Sequence, residues 1–427
     1  MDTASEYADW LQSLRRDFHR RPEPAWLEFY TTARIVEEIG EIGVDELYVG
    51  RDALAPGERS AVPNEGTIEA WYEQAREAGA PREVLAELEG GYTGAVAVLR
   101  RGEGPTVALR VDIDGLPRGE SDAPDHTPAS EGFRSVHEGA MHACGHDAHA
   151  TIGLGVLRAI AGSDFRGTFK IVFQPAEERI AGGKPVAESG HLDDVDSLLA
   201  VHVGLDHPTG EVVAGVDNFL AVSHFEARFS GESAHAGGHP NRGRNAVQAM
   251  AAAIQNLYAI PRHEDGPTRI NAGKVGGGTA TNIVPEGAFI EGEVRGGTTD
   301  LMEYTREHAV RILRNAAEMH DCTVEIEQGG EAPSAESDEA VVEAVTDVAG
   351  TVEGIETVVR RDTLGGSEDA SYLMRRVQER GGTAGFVCVG TDHPGGHHTA
   401  TFDVDEASLA IGVDVLSGAV LSLSNRE

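Results

Sequence analysis

Apolar side chains recur at helical spacing from residue 5 to residue 40, with one interruption at Arg21-Pro22-Glu23-Pro24. A polar stretch from about Gly50 to Gly91 follows, within which the pattern predicts a helix over 66–79. Short β-like runs come next, at Ala95–Leu99, Thr106–Val111, Thr168–Phe173, Leu198–Val203 and Gly385–Val389. They are almost continuously apolar, as strands covered on both faces should be. Helical stretches alternate with them, notably 147–162, and that alternation predicts an α/β layer architecture. Between about 222 and 330 the order changes to a strand at 224–229, a helix at 244–259, strands at 268–275 and 288–295, a helix at 300–319 and a strand at 323–328. This β-α-β-β-α-β order is the split, ferredoxin-like unit. The strand at 385–389 and the segment 402–423 return to the first pattern. The expected fold is therefore an α/β/α domain with a mainly parallel or mixed sheet, built from 1–220 and 332–427. A ferredoxin-like α+β domain at 221–331 interrupts it.

A chain of 427 residues exceeds one ordinary core, which agrees with two domains, and 40% hydrophobic residues suffice for globular folding. The formal net charge is −36, from 71 acidic against 35 basic residues, and lysine occurs only at Lys170, Lys184 and Lys274. Nucleic acid and anionic membrane make poor partners for such a surface, because phosphate binding needs basic patches. A cationic partner could use the charge. Adaptation to high salt, where ions screen the carboxylates from one another, explains it better, because the acids are spread along the whole chain. The N-terminus MDTASEYADWLQSLRRDF has neither a basic start nor an apolar core segment, unlike a secretory signal. No run approaches the roughly 20 apolar residues of a membrane span. A soluble cytoplasmic protein is expected.

The three cysteines, Cys144, Cys322 and Cys388, offer no disulfide framework, and Cys322 and Cys388 read as core residues of apolar strands. Cys144 is different. It lies in Met141-His142-Ala143-Cys144-Gly145-His146-Asp147-Ala148-His149, just ahead of a predicted helix start. Thiolate and imidazole suit first-row divalent ions, and a helix N-terminus favours thiolate. Cys144 as a nucleophile activated by His146 or His149 is the rival reading, and a buried inert cysteine is the plain one. Other polar groups follow predicted strands. Asp112 and Asp114 follow Thr106–Val111, Glu177 and Glu178 follow Thr168–Phe173, and His202 ends Leu198–Val203. His393, His397 and His398 follow Gly385–Val389. Ligands of open α/β sheets bind beyond the carboxyl ends of the strands, so these groups are expected at one rim. Adjacent carboxylates in an extended segment point to opposite sides, which would let one of Glu177 and Glu178 face metal and the other a water. Singly, each has a bland alternative: an acidic surface pair for the glutamates, a core histidine for His202.

Together the motifs resemble a family. LRRDFH (14–19), RVDIDGLP (110–117), MHACGHDAHA (141–150), FQPAEE (173–178), AVHVG (200–204), ESAHAG (232–237), GGTATNIVPEG (277–287), GGSEDASY (365–372) and GHHTATFDVDE (396–406) occur in one order over nearly the whole chain. This order resembles the aminoacylase/carboxypeptidase metallopeptidases, in the amidohydrolase branch with the hippurate and indoleacetyl-amino-acid hydrolases. Trp26-Leu27-Glu28-Phe29, the long 50–91 segment and Glu89-Gly90-Gly91-Tyr92-Thr93-Gly94 follow the subgroup of A-type chains of aminobenzoyl-glutamate hydrolase. The resemblance implies two divalent ions per subunit, Zn²⁺ or Mn²⁺, bridged by Cys144. His146 and His202 would hold one ion, and Glu178 and His398 the other. His398 is preferred to His397 because it stands four residues before Phe402, the family spacing. The resemblance also implies Glu177 as general base, His235 as oxyanion donor, Asn282 and Arg295 as substrate contacts, and Asp112 and Asp114 as groups orienting the ligands. Arg179 and Ile180 depart from the glycine-rich run that often follows the paired glutamates.

The implied activity is metal-assisted hydrolysis of the amide of N-acyl amino acids, with p-aminobenzoyl-glutamate favoured. A broader, hippurate-type amidohydrolase is the alternative. A silent metal-binding chain that completes a hetero-oligomer and a thiol hydrolase are the readings from other classes. The partners implied are a small N-acyl amino acid and either a second copy or a related subunit, joined through the small domain.

Overall fold

The structure is a computed structural model, and it describes residues 4–425. The chain forms two compact units. One comprises Met1–Asp217, Ala335–Leu364 and Glu368–Glu427, and the other Asn218–Ser334 with Gly365–Ser367. The short return of 365–367 to the second unit has no signal in the apolar pattern. It is made by backbone pairing, with Leu220 N donating to Gly366 O at 2.8 Å.

The first unit is built on an eight-stranded mixed sheet. Its order is Glu46–Val49, Ala95–Arg101, Gly167–Gln174, Thr106–Asp112, Ser197–Val203, Thr383–Val389, Glu211–Val213 and Thr357–Val359. The four strands from Gly167–Gln174 to Thr383–Val389 run parallel, and the antiparallel pairs lie outside them. Every residue of Thr106–Asp112 is buried, which explains its unbroken apolar run. The helices His146–Ala161 and Ala407–Ser424 share one apolar core with Ala8–Arg20 and Glu339–Ala349. Ala407–Ser424 is an exception to the expectation that no run nears membrane-span length. Its 18 residues are long and apolar enough by composition, and most of them are buried in this core. A helix that is apolar all round is what a position between other helices demands.

The polar segment near 50–91 carries Glu65–Glu77 and the shorter Arg82–Glu87, which bury Ala75, Leu85 and Leu88 against Leu27, Phe29 and Ala33. The second unit is a four-stranded antiparallel sheet, ordered Thr323–Ala332, Ala221–Ser230, Gly287–Gly296 and Thr268–Gly277. Ala246–Leu257 and Thr299–Met319 cover it, started by side-chain caps from Asn245 and Thr298. Their alanine, leucine and methionine stripe packs on Ala227, Phe229, Ile290 and Val294.

Candidate metal centre

The carboxyl ends of the parallel strands converge because their register is even. Asp112 stands opposite Gln174, and His202 opposite Cys388. Helix His146–Ala161 starts over the same rim from Gly145, whose φ of +90° admits only glycine comfortably; a Cβ there would meet Val203 at 2.5 Å. Of the residues expected at one rim, Asp112, Asp114, Cys144, His146, Glu177, Glu178 and His202 do meet.

Cys144, His146 and Glu178 each bring one ligand atom within 4.8 Å of the others. Cys144 is also grouped this closely with His202 and His397, so the sulfur belongs to both sets. Cys144 Sγ lies 3.5 Å from His202 Nε2, while His202 Nδ1 is 2.7 Å from Val203 O. That backbone bond fixes the proton on Nδ1 and leaves the Nε2 lone pair facing the sulfur. Burial, then His149 and His397, keep this imidazole neutral, as a ligand must be. His146 Nδ1 lies 3.3 Å from Asp114 Oδ1, while its Nε2 is buried without a hydrogen-bond partner. Glu178 Oε1 is orphaned in the same way, 3.9 Å from His146 Nε2. Two buried, unpartnered ligand atoms facing each other fit a cation between them.

The electrostatics agree. Burial, followed by Glu178 and Glu368, pushes the Cys144 thiol well above its ordinary range, so the helix start does not by itself yield a thiolate. Burial pushes Glu178 up to about 8 and raises Glu177 further, with Glu368, Asp369 and Glu178 adding repulsion. So many buried acids can ionise together only beside compensating positive charge, which divalent ions would provide.

The paired glutamates correct one expectation. Glu177–Arg179 is a 3₁₀ turn bounded by left-handed Ala176 and Ile180, not an extended segment. Both carboxylates therefore reach the same side: each has an oxygen 3.9 Å from His146 Nε2. The expected partition of ligands also differs in detail. His398 lies 3.6 Å from Glu178 Oε2, consistent with a shared ion, but its side chain is 58% exposed. It is His397 that joins Cys144 and His202, although its Nε2 also lies 3.2 Å from Val203 O. His235, Asn282 and Arg295 belong to the second unit. There His235 and Asn282 are exposed on neighbouring loops, linked by Ala236 N donating to Asn282 O at 2.9 Å. Arg295 is already engaged by Glu293 through two 3.0 Å contacts.

Several residues of the site carry no individual prediction. His149 Nδ1 is 2.5 Å from Asp112 Oδ1 and its Nε2 accepts from Val203 N, so it serves as a strut and not as a ligand. Asp369 accepts from Gln174, Gly182 N and Gly183 N, and pairs with buried Arg110. Glu368, also buried, is raised to about 7, chiefly by desolvation. The signal for the last two was present in GGSEDASY, where acids follow a glycine turn and start the helix Ala370–Glu379.

Residues 108–422 match the family model described as Peptidase family M20/M25/M40. The chain belongs to this family. Among its M20 relatives, the indole-3-acetyl-aspartic acid hydrolase of Enterobacter agglomerans is 41% identical over 416 residues, covering 96% of this chain and 95% of the relative. The A chain of the two-component p-aminobenzoyl-glutamate hydrolase of Escherichia coli is 39% identical with the same coverage. A crystal structure of an aminobenzoyl-glutamate utilization protein from Klebsiella pneumoniae superposes with a TM-score of 0.85 at 35% identity, covering 99% of this chain and 98% of that one. These M20 relatives support a hydrolase acting on amide bonds.

Proposed function

We propose that this M20 protein hydrolyses the amide joining an aryl acyl group to an acidic amino acid, p-aminobenzoyl-glutamate foremost, giving aminobenzoate and glutamate. The carrying observation is the shared sulfur: Cys144 lies in one close set with His146 and Glu178, and in another with His202 and His397. Two divalent ions, Zn²⁺ or Mn²⁺, would be held by Cys144, His146, Glu178, His202 and His398, supplying an activated water and a polarised carbonyl. His397 is the alternative to His398.

The residues act as follows. Glu177 takes a proton from the attacking water at its carboxylate, and the water oxygen bonds to the acyl carbon. As the C–N bond breaks, Glu177 returns that proton to the departing nitrogen, so a carboxylic acid and a free amine result. The raised proton affinity of Glu177 suits both halves of this exchange. Asp114 and Asp112 orient the imidazoles, and His149 braces Asp112. His235 and Asn282 are assigned to the oxyanion and the substrate backbone. Arg295 can serve a substrate carboxylate by exchanging Glu293 for it. The Escherichia coli relative is named as one component of its hydrolase, which supports assembly with a second chain, either a copy of this one or a related protein.

Both relatives named above act, by their names, on an aryl acyl group joined to aspartate or glutamate. This favours an acidic amino acid over the broader hippurate-type reading. The test uses purified protein in molar salt, reloaded with Zn²⁺ or Mn²⁺. It is offered p-aminobenzoyl-glutamate, indoleacetyl-aspartate, hippurate and acetyl-alanine, with products identified by mass. Release of glutamate or aspartate is expected to be fastest, and chelation should abolish it. Equal rates across all four would establish the broader reading. Turnover that resists chelators but stops on thiol alkylation would sink the metal mechanism.

A further inference from the structure

Three successive peptide N–H groups at the catalytic turn are held by two buried carboxylates. Ala176 N donates to Glu28 Oε1 at 2.8 Å, Glu177 N to Asp114 Oδ1 at 3.1 Å, and Glu178 N to Asp114 Oδ2 at 3.0 Å. Ala176 has φ +58° and Ile180 φ +50°, a region that side chains with a Cβ disfavour. Such backbone persists only where its surroundings over-determine it. At Ala176 the determinant is Glu28, whose relative exposure is 0% and whose other oxygen accepts from Thr93 Oγ1 at 2.5 Å.

Glu28 is itself held by the two ends of the segment 50–94. Two residues before it, Trp26 is buried and left-handed at φ +66°. Its Nε1 donates to Ser60 O at 2.8 Å, and the Arg59 guanidinium lies 4.5 Å from its ring. At the far end, Gly91 passes so close that a Cβ would meet Trp26 O at 2.7 Å, and Gly94 N donates to Thr32 Oγ1 at 3.0 Å. Trp26-Leu27-Glu28-Phe29 and Gly91–Gly94 are the motifs that the hydrolytic chemistry leaves without a task.

We propose that the 50–94 segment is a brace: through Trp26 and Thr93 it fixes Glu28, and Glu28 acts as a positioning residue for the turn that carries Glu177 and Glu178. The inference rests on the roles given to those two glutamates, so one arm of its test reads the turn without turnover.

In the metal-loaded protein, Glu28→Ala should lower kcat by about a hundredfold while KM stays nearly unchanged, the cost of a base displaced by roughly an ångström. Glu28→Gln should stay close to wild type, because its amide still accepts from Ala176 N and a threonine hydroxyl accepts as well as donates. Adding Ala176→Gly to Glu28→Ala should recover about tenfold, since glycine holds the left-handed turn unaided. Wild-type kcat in Glu28→Ala overturns the proposal. So does a loss that neither Gln nor Ala176→Gly relieves, because the carboxylate would then act through its charge. Should Glu28→Ala not fold, Thr93→Val carries the test by hydrogen exchange of residues 174–182. Faster exchange than wild type supports the brace, and unchanged exchange overturns it whatever reaction the protein catalyses.

Discussion

At the scale of single residues, the site is a set of ligand atoms aimed by neighbours that are not ligands. Asp114 touches His146 Nδ1 and both glutamate amides, so Asp114→Ala should weaken metal binding by about 10–100-fold. Metal retained after stepwise chelation, read by elemental analysis, checks this, and undiminished retention would refute it. Glu177→Gln should lower kcat by about 10²–10⁴-fold with metal content intact. Wild-type turnover in that variant would end its assignment as base. His149 lies against the rings of both His146 and His202, with centroids 5.2 and 4.6 Å away. His149→Phe keeps that packing but strands Val203 N and one Asp112 oxygen, which should cost about 1–3 kcal/mol in urea unfolding. What the chain made legible here were the atom types that are rare outside metal sites. Cys144, His146, Glu178 and His202 stand out because thiol, imidazole and carboxylate end apolar strands or open a helix. Glu28 and Asp369 did not, since their partners lie 148 and 187 residues away and no local pattern encodes so distant a bond. The turn at Glu177 was also hidden. Alanine and isoleucine do not announce left-handed backbone.

Elements were easier to read, for a physical reason: burial on both faces leaves an unbroken apolar run, and burial on one face leaves a period. The parallel strands and the β-α-β-β-α-β order of the second unit were therefore visible. The strands Glu46–Val49, Glu211–Val213 and Thr357–Val359 were not, because three or four residues are too few to show a period. In the second unit, Gly287–Gly296 carries Glu293 beside His224 and Arg295. The hydrogen bond with His224 is the largest influence on Glu293. Together with Arg295 it outweighs partial burial and holds the carboxyl at about 2, against an ordinary 4.5. A lowered carboxyl contributes stability that is present above its ordinary value and lost as pH falls toward the folded one. Glu293→Gln should therefore flatten the acid dependence of this unit's melting between about pH 4.5 and 2. Circular dichroism across that window checks it, and an unchanged slope would refute it. The pair is half-exposed, so the effect should shrink with added salt.

For the whole molecule, the net charge of −36 is the dominant long-range term. Self-repulsion at this density should destabilise the compact state wherever screening is weak. The melting temperature should therefore climb as ionic strength rises from about 0.01 M to about 1 M, over which the screening length contracts from roughly 30 Å to 3 Å. A midpoint indifferent to sodium or potassium chloride would remove the case for a protein suited to concentrated salt. Composition made this property legible from the start, whereas the division of the chain into two units had to be inferred from a change in element order.

The position of Thr383–Val389 has a consequence for biosynthesis. It sits between Ser197–Val203 and Glu211–Val213, strands that precede it by some 170 to 190 residues. A nascent chain emerging from the ribosome therefore holds a gap in its central sheet, with bare strand edges, until translation is nearly complete. Cys144 and His202 are synthesised early, but the neighbour that closes the floor beneath His202 arrives late. Newly made chains thus depend on being shielded from one another until the last tenth of the polypeptide has left the exit tunnel.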